Sequence, residues 1–457
     1  MGRTALSELR RDFAGQLLRP GDDGYEAARR IWNGAIDKRP ALIARCANAD
    51  DVVSAVRYAR TERLLVAARG GGHNVAGTAV CDGGLTIDLS PMKNIRIDPG
   101  RRVARVEPGV LWGELDRDAQ QYGLAIPGGI VTHTGVAGLT LGGGIGWLMR
   151  KYGLTCDSLL SADLVSAEGT RLTASETENA DLFWGIRGGG GNFGIVTSFE
   201  FGLHQVGPTV LAGVLLYPAD AVHTLLSFYR DFAAAAPDEL TTILTFRHAA
   251  PLEIIPRHLH GAPVIIISAC YAGPIADGER ALGPLRAFGA PLADLIGPTA
   301  YVTHQSIFDA GVPHGLRYYW KSHYLPDLSD GLIDTIARQA WQTPTPQSFA
   351  ILFQMGGAVA RRADEDTAFT GRGAGFAINI NGVGSEPSQD TACVQWVRRV
   401  WDATQPFSTG VYMNFVGNEG QERVVAAYGP QKYDRLVALK RRYDPTNFFQ
   451  LNQNVRP

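Results

Sequence analysis

Short apolar runs that end on glycine or proline alternate with helical stripes along the first two hundred residues. The first stripe sets Ala27, Ile31 and Trp32 at helical spacing behind Asp22 and Asp23, and predicts a helix over 22–37. Ala41–Ala44 reads as a strand, and Asp50-Asp51 stand where a helix is capped, ahead of Val52, Val53, Val56 and Ala59. Strands follow at 64–68 and 85–89. The runs 95–97 and 103–106 flank Asp98-Pro99-Gly100, a hairpin signal. Trp112, Leu115, Ala119 and Tyr122 make the stripe of another helix, which Gly123 ends. A second hairpin joins 162–165 to 171–173, and a further β run covers 195–201.

Around residue 206 the pattern changes. Val222, Leu225, Leu226, Tyr229 and Phe232 share one face of a helix over 219–235, with strands at 241–247 and 263–271 and a helix carrying Ala281, Leu282, Leu285 and Phe288. Later strands are expected at 348–354, 375–381 and 410–415, then a helix through Tyr433, Leu436, Val437 and Lys440. The expected fold class is α+β in two lobes: residues 1–205, then 206–415 built on an antiparallel sheet covered by helices, with 416–457 as a C-terminal segment.

Composition narrows the function. The apolar fraction is 45% and the charged fraction 19%, as in a soluble protein with a large core. A net charge of −2 gives no general attraction to nucleic acid or to an anionic membrane, and no apolar run is long enough to span one. The five cysteines are scattered without a C-x-x-C pair, which argues for free thiols and against zinc; no metal is expected. The first residues carry charge from the start and lack the apolar core of a secretory signal, so a cytoplasmic location is expected.

The 54 glycines are clustered. Arg69-Gly70-Gly71-Gly72-His73-Asn74-Val75-Ala76-Gly77 closes the strand at 64–68. The run 127–146 holds Gly128, Gly129, Gly135, Gly138, Gly142, Gly143, Gly144 and Gly146, with His133 and Thr134 among them. A third cluster, 187–194, opens onto the β run at 195–201. Consecutive glycines let backbone N–H groups converge on an anion, and a chain gives up that much conformational entropy only where it passes close to something. No helical pattern follows Gly70–Gly72 directly, so a G-x-G-x-x-G dinucleotide unit is a poor match; neither G-K-[ST] nor G-x-S-x-G is present. A long, phosphate-bearing ligand remains.

At these residues the chain resembles a known family. Arg69–Gly77, 127–146 and the ending DPTNFFQLNQN are similar to the berberine-bridge-enzyme-like oxidases of the vanillyl-alcohol oxidase superfamily, especially the group around bacterial 6-hydroxy-D-nicotine oxidase and the polyketide-pathway flavoenzymes. The likeness covers about 25–205 and 410–457 and is loose between them. It implies a PCMH-type FAD-binding domain, with its core at about 38–205, a substrate domain, and a C-terminal segment that returns to the first. It implies FAD bound by Arg69, Gly70, Gly71, Gly72, His73, Asn74, Gly77, Gly128, Gly129, Thr134, Gly135, Gly138, Gly142, Gly143, Gly144, Gly146, Val196, Asn452 and Asn454. His73 is the residue that would carry the flavin 8α bond.

Two departures from the family matter. Val131 stands where many relatives have a second flavin-linking cysteine, so a single covalent link is expected. Tyr412-Met413-Asn414-Phe415 replaces the usual Tyr-x-Asn-Tyr, so the tyrosine that serves as base is Phe415 here. Alternation along 375–381 puts Ala377, Asn379 and Asn381 on one face, and the same period pairs Tyr412 with Asn414. These four polar residues are the candidates to orient substrate, or else a solvent-facing stripe. His133 is a candidate base or flavin contact, and His304, His314 and His323 with Arg317 and Tyr319 a candidate polar patch. The expected activity is hydride transfer from an alcohol or amine carbon of a small or secondary-metabolite substrate to flavin, with O2 as acceptor, in a monomer or homodimer. A flavin dehydrogenase, cyclase or oxygenase-like enzyme using another acceptor, or a non-catalytic binding protein, stays open.

Overall fold

A computed structural model describes residues 3–249, 251, 253, 255–417 and 419–457. The first lobe holds two larger sheets and a two-stranded pairing of Leu124–Ala125 with His204–Gln205. In the four-stranded one, Leu42–Arg45 and Val66–Arg69 both run parallel to Leu85–Asp88, and Gln16–Leu18 adds an antiparallel edge. The five-stranded one is antiparallel throughout, in the order Ile95–Asp98, Val103–Val106, Ile195–Gly202, Leu159–Val165, Arg171–Ser175. Both expected hairpins form.

The second lobe is one eight-stranded antiparallel sheet, with Thr209–Pro218 and Pro263–Tyr271 towards one edge and Arg317–Leu325 at the other. Helices Val222–Ala235, Ile275–Ala287, Asp330–Gln339 and Asp390–Thr404 cover one face. The alternation read along 375–381 holds: Phe376, Ile378 and Ile380 pack under these helices, and Ala377 joins the core on the opposite face. That opposite face looks back at the first lobe through Trp32, Trp147 and Tyr412. Among the described residues no helix is long and apolar enough to cross a membrane.

Three local expectations fail, each to a tertiary contact. The helix over 22–37 shrinks to Tyr25–Arg29, and the backbone at Arg30 is extended. Past it, Trp32 N–H donates to the Gly72 carbonyl (3.1 Å), and Asn33 Nδ2 to the carbonyls of Val75 and Tyr318 (2.9 Å each). These bonds to the rest of the fold outweigh helix propensity. Asn48, not Asp50 or Asp51, caps helix Ala49–Thr61; the Asp51 carboxylate accepts from the N–H groups of Ala14 (2.8 Å), Gly15 (3.0 Å) and Ala47 (2.8 Å). Residues 410–415 are not a strand. Gly410 makes a single bridge to Tyr324, and the chain then coils into the short turn Met413–Phe415.

Candidate active site

A cavity runs between the lobes, and three glycine turns form its first wall. Strand Val66–Arg69 delivers Gly70, Gly71, Gly72, His73 and Asn74 to that wall. From the second run come Gly129, Val131, Thr134, Gly135 and Gly138. The third supplies Gly190, Gly191 and Gly194, followed by Val196, with Asn452 and Gln453 alongside. The third turn's own glycines were not among the expected contacts, although their density in the sequence was the same signal.

What the glycines approach is in part each other. A Cβ on Gly71 would stand 2.4 Å from the Gly135 nitrogen, and one on Gly135 would stand 2.4 Å from the Gly71 nitrogen. The first two turns therefore cross backbone on backbone, a contact that only paired glycines allow.

Other expected contacts lie off the cavity and serve packing. Arg69 is engaged with Asp88 (3.0 and 3.1 Å) and with the Arg30 carbonyl (3.1 Å), so its guanidinium ties the turn down instead of facing a phosphate. Added Cβ atoms would meet Ile36 at Gly77 (2.8 Å), Trp112 at Gly128 (2.6 Å), Asn414 at Gly142 (2.0 Å), Phe369 at Gly143 (2.3 Å), Thr155 at Gly144 (2.1 Å) and the Gly128 carbonyl at Gly146 (1.7 Å). Asn454 also sits back from the wall, its carbonyl accepting from Gln421 Nε2 (3.1 Å).

The tail is clamped by Asn192. Its Nδ2 donates to the Gln453 carbonyl (3.1 Å), and its Oδ1 accepts from Val455 N–H (2.9 Å). Asn452 Nδ2 donates to the Gly191 carbonyl (3.1 Å). The fully buried Lys440–Asp444 pair (2.7 Å) supports this joint, with Lys440 also donating to the carbonyls of Asn192 and Phe449.

At the end of the cavity nearest the first turn stands a histidine cluster. His73 Nε2 lies 2.6 Å from His133 Nδ1, and Trp32 stacks on the His73 ring at 4.7 Å. The His314 ring centre is 4.8 Å from that of His133 and 5.6 Å from that of His73. Burial pushes the His73 pKa well down, and the neighbouring imidazoles add to this. Burial and His314 also lower His133, against Asp309, which raises it. His133 touches the cavity only through His73, so it is not placed against substrate.

The patch expected around His304, His314 and His323 does not exist as a unit. His304 packs on Trp147, His323 stacks on Trp401, Arg317 pairs with Asp390 (2.6 Å), and Tyr319 accepts from Arg398. The short spacing of these residues hid the fact that the strand Arg317–Leu325 sends its side chains to both faces of the sheet.

The second wall comes from the sheet of the second lobe. Asn379 and Asn381 are 2% and 3% exposed and line the cavity, so they are not a solvent-facing stripe. Trp320, Phe349, Ile351, Phe353 and Phe415 surround them. Asn381 Nδ2 donates to the Asn379 carbonyl (3.1 Å), and Asn379 Nδ2 is buried without a partner. Tyr412 and Asn414 do meet, through the turn and not through strand alternation: Asn414 Nδ2 donates to the Tyr412 hydroxyl at 2.7 Å and to the Leu139 carbonyl at 3.1 Å. Gly144 N–H is the second donor to Tyr412 Oη, at 2.9 Å. Burial still pushes the phenol up to about 12, outweighing both donors. Among the described residues lining the cavity, His73 and Tyr412 are the sole titratable side chains.

Residues 40–175 match the FAD binding domain family, and 411–456 match the family described as berberine and berberine like. An FAD-linked oxidoreductase of Dictyostelium discoideum is 32% identical over 99% of this chain and 97% of its own. The chain belongs to the berberine-bridge-type FAD-linked oxidoreductases. It is 31% identical to the (R)-6-hydroxynicotine oxidase of Paenarthrobacter nicotinovorans, over 97% of both chains. The crystal structure of 6-hydroxy-D-nicotine oxidase from Arthrobacter nicotinovorans superposes with a TM-score of 0.88, at 30% identity and 98% coverage of each chain.

This FAD-linked oxidoreductase therefore has the two-domain α+β fold of its family, and FAD is its cofactor. The cavity suits that group. One wall offers glycine backbone to a pyrophosphate. Asn379, Asn452 and Trp320 all line it, and Asn379 Nδ2, the side-chain oxygen Oδ1 of Asn452 and the Trp320 indole N–H are buried without protein partners. Unpaired buried polar atoms are costly, and a ligand with ring nitrogens, carbonyls and hydroxyls would satisfy them.

Proposed function

We propose that this oxidoreductase is an oxidase for small, uncharged substrates, carries its flavin through a single bond to His73, and favours amines over alcohols. Bound FAD supplies a hydride acceptor at N5 and passes the electrons to dioxygen. The observation that carries the reading is the neutral second wall. No carboxylate, lysine or arginine of the described residues lines the cavity, and its phenol keeps its proton up to about pH 12.

Tyr412 Oη already accepts two hydrogen bonds, so it has a proton to give and no free lone pair to receive one. Its O–H and the unpartnered Asn379 amide would hold a substrate's lone pair, and the aromatic residues would exclude water. An alcohol needs a base to take its O–H proton while the hydride leaves. An amine in its free-base form needs none, and Phe415 leaves no base at the family's position. The relatives named for (R)-6-hydroxynicotine and for xylooligosaccharide suit a fold that serves both substrate kinds.

His73 lines the cavity beside the glycine turn, and Val131 offers no second nucleophile. A cytoplasmic monomer or homodimer belongs to the same reading; it is supported by five buried cysteines, all free. Acid precipitation tests the anchor: yellow colour should stay with the pellet. Oxygen uptake with a panel of secondary amines and alcohols tests the rest, and faster turnover of the alcohols would reject the amine preference.

A further inference from the structure

We propose that His133 is a positioning residue for His73: it takes the hydrogen bond of Nε2, leaves Nδ1 as the nitrogen that joins the flavin, and draws off the proton that the bond releases. The inference rests on the covalent anchor proposed above. With His73 Nε2 only 2.6 Å from His133 Nδ1, that nitrogen is blocked by another ring. His73 Nδ1 has no hydrogen-bond partner among the described residues, while His73 lines the cavity.

A second, outward cavity completes the arrangement. His133 lines it together with Glu114, Asp116, Arg117, Thr132 and Gln305, whereas His73 does not. The two imidazoles thus bridge two cavities, one wall apart. Asp309 fixes the loop that carries His133, accepting from Thr132 N–H (2.9 Å) and from the Thr132 hydroxyl.

In the step, the Nδ1 lone pair of neutral His73 forms a bond to the 8α carbon, and one C–H bond of that methyl breaks. The carbon is oxidised by two electrons, which reduce the isoalloxazine and then pass to dioxygen, giving hydrogen peroxide. The Nε2 proton of His73 moves to His133 Nδ1 and out through the second cavity; the methyl proton goes to the reduced ring. His133 must be neutral to accept. The groups facing it are His73, His314 and Asp309, with Glu114, Asp116 and Arg117 across the second cavity. Its cationic form is disfavoured by burial and by His314.

The test uses full-length protein produced without flavin, then loaded with FAD in air, with acid-stable absorbance followed in time. Wild type should give a flavin peptide joined through Nδ1 by NMR, with a loading rate that falls about tenfold per pH unit below the His133 pKa. His133→Ala should slow covalent loading about a hundredfold, with FAD still bound non-covalently as proof of folding. His133→Asn, whose amide oxygen accepts the hydrogen bond but takes no proton, should restore the Nδ1 linkage with only part of the rate and without the pH dependence. An Nε2-linked peptide, or His133→Ala loading at the wild-type rate, overturns the proposal and leaves the anchor intact. A wild-type pellet that loses all colour overturns the anchor itself. Zinc retained at one per chain through dialysis and blocking FAD loading would make the three histidines a metal site and overturn the relay.

Discussion

The first-lobe wall of the cavity is mostly backbone: Gly70–Gly72, Gly135, Gly138, Gly190, Gly191 and Gly194 bring peptide groups to the surface, with His73 among them. The facing wall is side chain, aromatic rings and amides carried by Phe349–Gln354, Phe376–Gly384 and the turn Met413–Phe415. Where Gly71 and Gly135 cross, the backbone wall tolerates no added atom, because its shape there is fixed by chain crossing chain. A side-chain wall can be rewritten residue by residue without disturbing the sheet behind it. One wall is thus built on fixed backbone, and the other on side chains that substitution can vary.

The largest effect should come from breaking the rigid wall. Gly71→Val or Gly135→Val puts carbon atoms into space held by the other turn's backbone. Each should cost about 4 kcal/mol or more and leave no flavin-loaded protein. Absorbance at constant protein concentration reads this, and a yellow Gly71→Val would disprove the crossing. Next comes His73→Ala, after which all colour should wash out on acid precipitation while folded protein persists.

The facing wall should yield smaller, graded changes. Tyr412→Phe strands Gly144 N–H and the Asn414 amide and should cost about 1–3 kcal/mol in the amine transition state, read as kcat/KM. Phe415→Tyr returns a phenol beside Tyr412, whose ring centre is 4.8 Å away, and should raise alcohol turnover about tenfold or more with little effect on amines. Equal gains on both substrate kinds would count against the missing-base explanation.

A further effect concerns acid stability outside both walls. His304 is fully buried, with neither ring nitrogen partnered, and burial lowers its pKa to about 3. An unfolded imidazole binds its proton near pH 6.5, so the unfolded state gains protons first as pH falls. Stability from this residue is complete above pH 6.5 and drains away towards pH 3, about 2 kcal/mol by pH 5. Urea melts at pH 7.5 and 5 should show the loss, and His304→Phe should shrink it by about that amount, leaving the share of His204 and His323.

The same contrast explains what the sequence disclosed. The glycine clusters announced the rigid wall because a backbone constraint leaves its mark on residue type. They did not say which glycines face ligand: Gly142 and Gly144 face Asn414 and Thr155, partners 272 and 11 positions away by their numbering. Alternation placed Asn379 and Asn381 together, since period two survives in any strand, but their burial depended on a lobe packed opposite. Tyr412 and Asn414 were paired for the wrong reason, a strand where the chain makes a turn. His314 was grouped with His304 and His323 by proximity in the chain, and its actual partners, His73 and His133, come from the other lobe.

The Asn192 clamp has a consequence for biosynthesis. The third glycine turn is held by residues 452–455, so that wall cannot close while those residues are still inside the ribosome. The turn and the tail that holds it are 261 residues apart in the chain, so this part of the cavity is set by a contact far removed in sequence. Shaping of that wall is thereby tied to the docking of residues 452–455.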